Sequence, residues 1–374
     1  MSGPVFDTLV PVARPFMPPL EQYCESLKGI WDRAYLSNGG PELQAFEKAL
    51  AAVCGTKNLA VFSSGSLALE AALEMLETRG EVILPSFTFP ATVNAVVRAG
   101  LVPVFADIEP NRLTIDPVEV DRLCNERTAA ILGVHMFGMP CLVDELATIA
   151  ARRNLPLIYD GAHAFALTYQ GRSVASFGDA SMFSLHATKA LHSAEGGVLT
   201  VRDPERLQWV RDFASHGLGG IATRSTNAKM SEPVAALGRL VLSYLPELRR
   251  RLIALRACYD AAIADIPGVA PVCRPIDGLE GTSGFYPILI NPAESGVSRD
   301  ELGRKLLMQN IASRAYFSPL LNQDPRLDVP RNDTPVALDI SRRIIALPFF
   351  ADLEPADALR IADTVKGIIS DRTG

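Results

Sequence analysis

Short apolar runs alternate with helix-like stretches through the middle of the chain. Most of these runs are apolar on both faces, which is typical of a sheet covered by helices on each side. The strand-length runs are residues 59–62, 82–84, 102–105, 130–134, 157–159, 180–184 and 197–201. The helical stretches between them are residues 66–77, 91–99, 117–124 and 142–153. This alternation predicts an α/β fold with a mostly parallel sheet.

The two ends of the chain show different patterns. Prolines keep the start extended, and helical spacing begins at Pro41 and runs through residue 51. One long helix is predicted over residues 233–265, and strands at 285–290 and 313–317 then mix with helices at 299–309 and 355–369. We therefore predict three parts: an arm with a first helix (residues 1–55), a large domain (56–245), and a smaller α+β domain (246–374) that includes most of the long helix.

Composition narrows the class of protein. The chain has 374 residues, of which 48% are hydrophobic and 21% charged, so a large core can form. A net charge of −6 argues against a nucleic-acid-binding surface but leaves room for a local phosphate site. No uncharged run is long enough to span a membrane without a proline, and no signal peptide is expected. Six cysteines without a Cys-x-x-Cys pair favour reduced thiols in a cytoplasmic protein and give no reason to expect a metal.

A segment rich in small residues lies between the first predicted strand and the following helix. It reads Ser63-Ser64-Gly65-Ser66. Free N–H groups at a helix start form an anion site when small residues let the anion approach, and the hydroxyl of Ser66 can add a donor. An ordinary turn with a capping serine is the alternative reading.

A carboxylate follows the apolar run at 157–159. In open α/β sheets, ligands collect at the carboxyl ends of the strands, where Asp160 is expected to lie. Burying a carboxylate is costly unless it meets a cation or several donors. One candidate cation is a protonated pyridine nitrogen; the alternative is that Asp160 caps the next turn.

Lys189 is one of only seven lysines in the chain. Unlike most of the others it follows an apolar strand and has small and aromatic neighbours. An amine withdrawn from water there has a lowered pKa and becomes a nucleophile and a base; a lysine extending from a loop to solvent is the alternative. A phosphate cradle, an aspartate for a pyridinium and a reactive lysine are together the parts that pyridoxal phosphate needs.

Ordered motifs at residues 36–41, 63–66, 84–92, 103–108, 159–165, 183–189 and 227–232 also carry a family likeness. In them the chain resembles the DegT/StrS family of pyridoxal-phosphate-dependent nucleotide-sugar aminotransferases, from about Arg14 to Tyr259. The resemblance implies the transferase fold of type I, which is aspartate-aminotransferase-like. That fold has a large domain with a mostly parallel seven-stranded sheet flanked by helices and a smaller α+β C-terminal domain.

The resemblance also implies roles for individual residues. Lys189 matches the lysine that attaches to the cofactor and moves the proton, and Asp160 matches the partner of the pyridine nitrogen. His163 is expected near the ring hydroxyl, and Phe89 is expected to stack on the ring. The residues that match phosphate binders are Gly65, Ser66 and Ser184.

Three further residues follow from the same likeness. Asn227 matches an asparagine that reaches the phosphate of the neighbouring subunit, which implies a homodimer with shared active sites. His186 and Lys229 are expected close to the substrate, and Lys229 replaces a common arginine with the loss of a bidentate fork. Relatives with histidine at the position of Lys189 act as dehydratases, so the lysine argues against that activity.

The predicted reaction is transfer of an amino group from an amino acid, expected to be L-glutamate, to a keto sugar nucleotide. The motifs look most like members that aminate C4 of dTDP-4-keto-6-deoxyglucose, which gives a 4-amino-4,6-dideoxy sugar. The alternatives are a 3-keto sugar or a cyclitol as acceptor, a pyridoxal-phosphate-dependent sugar dehydratase, and a non-catalytic regulatory relative. No nucleic acid and no membrane are expected as partners.

Overall fold

The chain forms a large mixed α/β unit followed by a smaller one, in a computed structural model that describes residues 3–220, 222 and 224–370. The strands are β1 (Leu59–Phe62), β2 (Glu81–Pro85), β3 (Val102–Ala106), β4 (Thr128–Val134), β5 (Leu157–Asp160), β6 (Thr168–Tyr169), β7 (Arg172–Ser173), β8 (Ala180–Ser184), β9 (Gly197–Val201), β10 (Val269–Pro271), β11 (Leu279–Glu280), β12 (Tyr286–Ile290) and β13 (Ile344–Leu347).

Helices surround and connect these strands. They are α1 (Leu20–Arg33), α2 (Pro41–Cys54), α3 (Gly65–Glu74), α4 (Pro90–Arg98), α5 (Pro117–Leu123), α6 (Val143–Arg153), α7 (Pro204–Ala214), α8 (Glu232–Ser243), α9 (Leu245–Ile263), α10 (Pro292–Ser295), α11 (Arg299–Met308), α12 (Pro335–Arg343) and α13 (Pro355–Ser370). Two 3₁₀ turns lie at Met136–Gly138 and Val174–Ser176.

The large unit is built on a seven-stranded sheet in the order β1-β9-β8-β5-β4-β2-β3. Strand β9 pairs antiparallel with both of its neighbours, and the other pairings within the sheet are parallel. The prediction of a mostly parallel seven-stranded sheet is therefore confirmed. The carboxyl ends of β5 and β8 meet at one edge, where Asp160 pairs with Met182.

Both faces of this sheet are covered. Leu157 and Tyr159 of β5 pack on the side of α2, α6 and α8, whereas Ile158 packs on the side of α3, α4 and α7. Successive residues of a strand point to opposite faces, so the uninterrupted apolar run of β5 serves two cores at once. Each of the three residues is less than 4% exposed. This two-sided burial is the reason that the strands read as continuous apolar runs.

The second unit has its own sheet and core. Strand β12 pairs antiparallel with β10 and with β13. Residues of α9, α11 and α13 close over this three-stranded sheet, among them Tyr259 and Ile361, which are fully buried. The α/β class with an additional smaller α+β part is thus confirmed. The domain limits at residues 55 and 245 stay a prediction.

Two predicted elements differ from the structure. The single helix over 233–265 is wrong, because α8 ends before Tyr244 and α9 begins beside Pro246. Proline has no N–H and its ring clashes with the preceding turn, so it starts a new helix. The strand at 313–317 is also wrong: only Arg314 forms a β-bridge, to Ala346. Tyr316 and Phe317 do not continue this pairing and instead pack around Phe87 and Phe137.

The segment of residues 3–19, here called the N-terminal arm, crosses both units. The N–H of Val10 donates to the carbonyl of Asn310, and the N–H of Phe349 donates to the carbonyl of Val12, both in the second unit. Farther on, Nε2 of His192 donates to the carbonyl of Phe16. Val12 and Ala13 consequently lie against a cavity between the two units.

None of the helices in the described part of the chain combines the length and apolar character that a membrane span requires.

Candidate active site

A cavity of about 510 Å³ lies where the carboxyl ends of β5 and β8 face the second unit. Helices α3 and α4 begin at its edge, and residues 284–286 and 313–317 form the opposite wall. The structure brings eight of the ten predicted site residues to its lining. These are Gly65, Ser66, Phe89, Asp160, His163, Ser184, His186 and Lys189.

Asp160 is the last residue of β5 and is only 5% exposed. Its Oδ2 accepts a hydrogen bond from Oγ1 of Thr92 at 2.8 Å, and its Oδ1 accepts from the N–H of Ala162 at 3.0 Å. Burial raises the pKa of the carboxyl, against the opposing effect of these two donors and of the Lys189 charge. A cation brought beside Asp160 would favour its ionised form.

Lys189 follows β8 and is partly buried. Its Nζ lies 5.1 Å from the centre of the Phe285 ring. Burial lowers the pKa of this amine from its ordinary value of 10.5 to about 8. The charge of Arg314 lowers the pKa as well, whereas Asp160 opposes both. The unprotonated form that a nucleophile or base requires is therefore far more populated near neutral pH than in an ordinary lysine.

His163 is held between two aromatic rings. Its ring centre is 5.7 Å from that of Phe137 and 4.2 Å from that of Phe285. The N–H of Phe137 donates to Nδ1 of His163 at 3.2 Å, so Nδ1 is unprotonated and the neutral ring carries its hydrogen on Nε2. Burial holds the pKa of His163 well below its usual range. The residue is thus a neutral hydrogen-bond donor at the cavity wall.

The predicted phosphate cradle lies where β1 passes into α3. Oγ of Ser64 caps the helix by accepting from the N–H of Leu67 at 3.3 Å. A Cβ atom on Gly65 would lie 3.2 Å from the Cβ of Ser184, tighter than an ordinary contact, so the glycine lets the strand and the turn approach without displacement. Ser66 and Ser184 both border the cavity. The helix start and its hydroxyl groups therefore face the same space as Lys189.

Phe89 and His186 lie at the outer part of the cavity. Phe89 is the N-cap of α4 and is 51% exposed, which leaves one face of its ring free to stack on a planar ligand. Nδ1 of His186 accepts the N–H of Thr188 at 3.2 Å. Its Nε2 is 3.6 Å from Oε1 of Glu195. The ring is thus oriented by its own loop.

Asn227 and Lys229 are not brought into the cavity lining. Nζ of Lys229 donates to Oδ1 of Asn227 at 2.8 Å, and the backbone of Lys229 bridges to Phe62 at the end of β1. Asn227 is exposed. Its predicted role at the neighbouring subunit and the substrate role of Lys229 stay predictions.

Several residues of the site carry no signal in the sequence. Thr92 holds the carboxylate of a residue 68 positions later, and Phe285, Arg314 and Tyr316 come from the second unit. Thr92 falls inside the quoted motif at 84–92, but nothing local marks its hydroxyl as a partner of Asp160. Only knowledge of the packing of the two units could have identified the others.

The donor set fits pyridoxal phosphate. A helix start bordered by serine hydroxyls suits the phosphate. A buried carboxylate whose pKa is raised by burial, and would be lowered by a neighbouring cation, suits the pyridinium. An amine with a lowered pKa lies in the same cavity and suits the aldehyde carbon. When bound, the cofactor supplies an electron sink for a carbanion. This fold and this site define a transferase dependent on pyridoxal phosphate.

Comparison with known proteins assigns the chain to a family. The profile of the DegT/DnrJ/EryC1/StrS aminotransferase family matches residues 21–366, so the chain belongs to this family and is an aminotransferase. The resemblance inferred from the motifs and the prediction of a pyridoxal-phosphate-dependent transaminase are confirmed.

Two relatives and one crystal structure are similar over nearly the full length. The dTDP-4-amino-4,6-dideoxy-D-glucose transaminase of Shigella dysenteriae is 34% identical over 376 residues, covering 98% of this chain and all of the relative. The enzyme of the same name from Escherichia coli is 30% identical, covering 96% and 99% of the two chains. The structure of DesI in the presence of its TDP-sugar product has a TM-score of 0.92 at 34% identity, covering 98% of this chain and 94% of DesI.

Proposed function

We propose that this aminotransferase moves the amino group of L-glutamate to C4 of dTDP-4-keto-6-deoxyglucose. The product would be the 4-amino-4,6-dideoxy sugar that is named in both relatives. The observation that carries the proposal is full-length similarity to these enzymes combined with a lysine of lowered pKa in the same cavity as a buried carboxylate.

The residues of the chain divide the work. Lys189 takes the proton from Cα of the donor and later delivers one to C4 of the sugar. Asp160, fixed by Thr92 and Ala162, keeps the pyridine nitrogen protonated. The neutral His163 offers its Nε2 hydrogen to the ring hydroxyl, and the aromatic wall around it keeps water away. A lysine at position 189, rather than a histidine, favours transamination over sugar dehydration.

A panel of keto nucleotide sugars tests the acceptor. With L-glutamate as donor, dTDP-4-keto-6-deoxyglucose should be aminated at least about tenfold faster than the corresponding 3-keto sugar or a cyclitol ketone. Mass spectrometry identifies an aminated product, and NMR locates the new amine. The Lys189→Ala variant is the matched blank. An amine at C3, or preference for the cyclitol, would replace the proposed acceptor with one of the alternatives.

We further propose that the chain acts as a homodimer with shared active sites in the cytoplasm. Large apolar side chains are exposed near the start of the chain, including Met17, Leu20 and Trp31, each about two-thirds exposed. Large apolar side chains exposed on one segment are typical of a contact region. Asn227 lies outside its own cavity, as a residue serving a neighbouring site would.

The six cysteines are all unpaired, which suits a reducing compartment such as the cytoplasm.

Mixed dimers test the shared site. Lys189→Ala and Asn227→Ala protomers, each of low activity alone, should regain about a quarter of wild-type activity after equal mixing, because half of the dimers then contain one intact site. Lys189→Ala mixed with Asp160→Asn is the control: both defects lie in one protomer's cavity, so no site is intact. Absence of recovery in the first mixture, with subunit exchange verified, would show that Asn227 does not serve the neighbouring site.

A further inference from the structure

Arg314 presents an unused guanidinium to the cavity. Its backbone is held by two hydrogen bonds with Ala346, of 3.1 and 2.8 Å, and its Cζ lies 5.3 Å from the centre of the Tyr316 ring. In the described part of the chain the Arg314 side chain has no hydrogen bond or ion pair. The group is therefore placed by its backbone and by the ring while its fork of donors is free for an anion.

A second arginine of the same unit shows the contrast. Arg256 donates from Nε to Oγ1 of Thr282 at 2.9 Å and from Nη2 to the carbonyl of Phe285 at 2.6 Å. It also lies over the rings of Tyr286 and Phe349. Arg256 thus supports the wall of the cavity, whereas Arg314 is the one guanidinium among the described residues that line it.

The position of Arg314 distinguishes between two anions of the reaction. Nζ of Lys189 lies 5.1 Å from the Phe285 ring centre, Cζ of Arg314 lies 5.3 Å from the Tyr316 ring centre, and the two ring centres are 5.9 Å apart. The two cationic groups therefore border the same stretch of cavity wall, and the Arg314 charge acts on the Lys189 amine. The α-carboxylate of an amino acid is one bond from the carbon whose proton Lys189 moves. The diphosphate of a nucleotide sugar is separated from C4 by the sugar ring and must bind farther out. An anchor beside Lys189 therefore matches the carboxylate.

We propose that Arg314 binds the α-carboxylate of the amino-acid donor, with its guanidinium supported by the Tyr316 ring. The inference rests on the proposed function in that it takes the donor to be an amino acid. Planar bidentate pairing of guanidinium with carboxylate would fix the Cα–H bond toward Lys189. A bound carboxylate also offsets the Arg314 charge, so donor binding makes it easier for Lys189 to hold the proton that it has taken.

Separate half-reactions test the proposal. In the Arg314→Gln variant, the L-glutamate concentration for half-maximal conversion of the holoenzyme should rise about 10- to 100-fold, read from the absorbance of the bound cofactor. Arg314→Lys should require an L-glutamate concentration between those of wild type and Arg314→Gln, because lysine keeps the charge but loses the forked pair of donors. In the second half-reaction the aminated holoenzyme reacts with dTDP-4-keto-6-deoxyglucose. The sugar concentration for half-maximal conversion should differ less than about threefold between Arg314→Gln and wild type. Arg304→Gln, an exposed residue of α11, is the control for loss of one surface charge.

The α-amide of glutamate sharpens the assignment. This analogue lacks the α-carboxylate but keeps the side-chain carboxylate. Wild-type and Arg314→Gln enzymes should therefore require similar concentrations of it. If Arg314→Gln weakens only the half-reaction with the keto sugar, Arg314 binds the diphosphate. If neither half-reaction changes, Arg314 binds neither substrate. Either result overturns the proposal. A further outcome is that wild type aminates none of the sugars while Arg314→Gln still needs the higher L-glutamate concentration. In that case the acceptor assignment fails and the assignment of Arg314 to the α-carboxylate stands.

The apoenzyme gives an independent readout. Competitive acetylation of Lys189 followed across pH by mass spectrometry reports the pKa of its amine. In Arg314→Gln the midpoint should move above about 8, whereas Arg314→Lys should leave it nearly unchanged. If Arg314 had a purely structural role, the Lys189 midpoint would not depend on whether the residue at position 314 is charged, as in Arg314→Lys, or neutral, as in Arg314→Gln. An unchanged midpoint in Arg314→Gln would place the guanidinium too far from Lys189 and contradict the proposal.

Discussion

Replacing Lys189 by alanine should lower kcat by at least about 10³-fold, because the side chain both attaches the cofactor and carries the proton. Steady-state assays with L-glutamate and the keto sugar measure the loss. Added methylamine should restore part of the activity, since it supplies a base of suitable size to the space that alanine leaves. Lys366→Ala, which removes an exposed amine of α13 outside the cavity lining, is the matched control and should retain far more activity.

Chemical trapping tests the same residue without kinetics. Borohydride reduction of the holoenzyme should fix the cofactor on the peptide that contains Lys189. A labelled peptide with any other lysine would make the central assignment wrong.

The lowered pKa of Lys189 also sets a pH dependence. Folding lowers the pKa of the amine from 10.5 to about 8, so between these values the unfolded chain binds more protons than the folded one. The contribution of Lys189 to the free energy of unfolding therefore rises with pH across this window. Below it the residue is destabilising, and the apo form of Lys189→Met should have a higher Tm than wild type at pH 7.

The Asp160→Asn variant should lose about 10²- to 10³-fold in kcat with little change in fold. The amide is nearly the same size: its oxygen can accept from the N–H of Ala162 while its NH2 donates to Oγ1 of Thr92. It cannot hold a proton on the pyridine nitrogen by its charge. The bound cofactor should consequently show a pH-dependent absorbance spectrum different from that of wild type. Thermal unfolding should be unchanged or shifted upward, because a buried carboxylate has been replaced by a neutral group.

Asp179→Asn is the matched control for this substitution. Asp179 accepts from the N–H of Leu157 at the opposite end of β5, outside the cavity. Its replacement should affect stability more than catalysis. Equal loss of kcat in the two variants would indicate that Asp160 acts through the stability of the strand rather than on the cofactor.

Much of the large unit could be predicted from the pattern of residues. Its strands are apolar on both faces and lie between helices with clear starts, such as the proline at the beginning of α4. Asp160 stands out because a carboxylate after a buried strand needs a partner. Lys189 stands out because few lysines occur and this one has apolar neighbours. Each of these signals lies within about ten residues of sequence.

The remaining parts depend on contacts between distant residues. The break between α8 and α9 follows from Pro246, which a periodic apolar pattern conceals. Residues 313–317 have strand-like composition, but only Arg314 finds a bridge partner before the chain turns toward Phe87. Arg314 and Phe285 join the site only after the second unit has packed against the first, so no local motif could assign them to it.

The N-terminal arm affects the order of events during synthesis. Val5 and Phe6 bond to Gln309 and Asn310, and Val12 bonds to Phe349. Ribosomes add roughly 5–20 residues per second, so the arm must remain without these partners for roughly 15 to 70 s after it is made. Because Val12 and Ala13 border the cavity, the site is completed after translation of the second unit, and a nascent large unit cannot yet present its finished binding pocket.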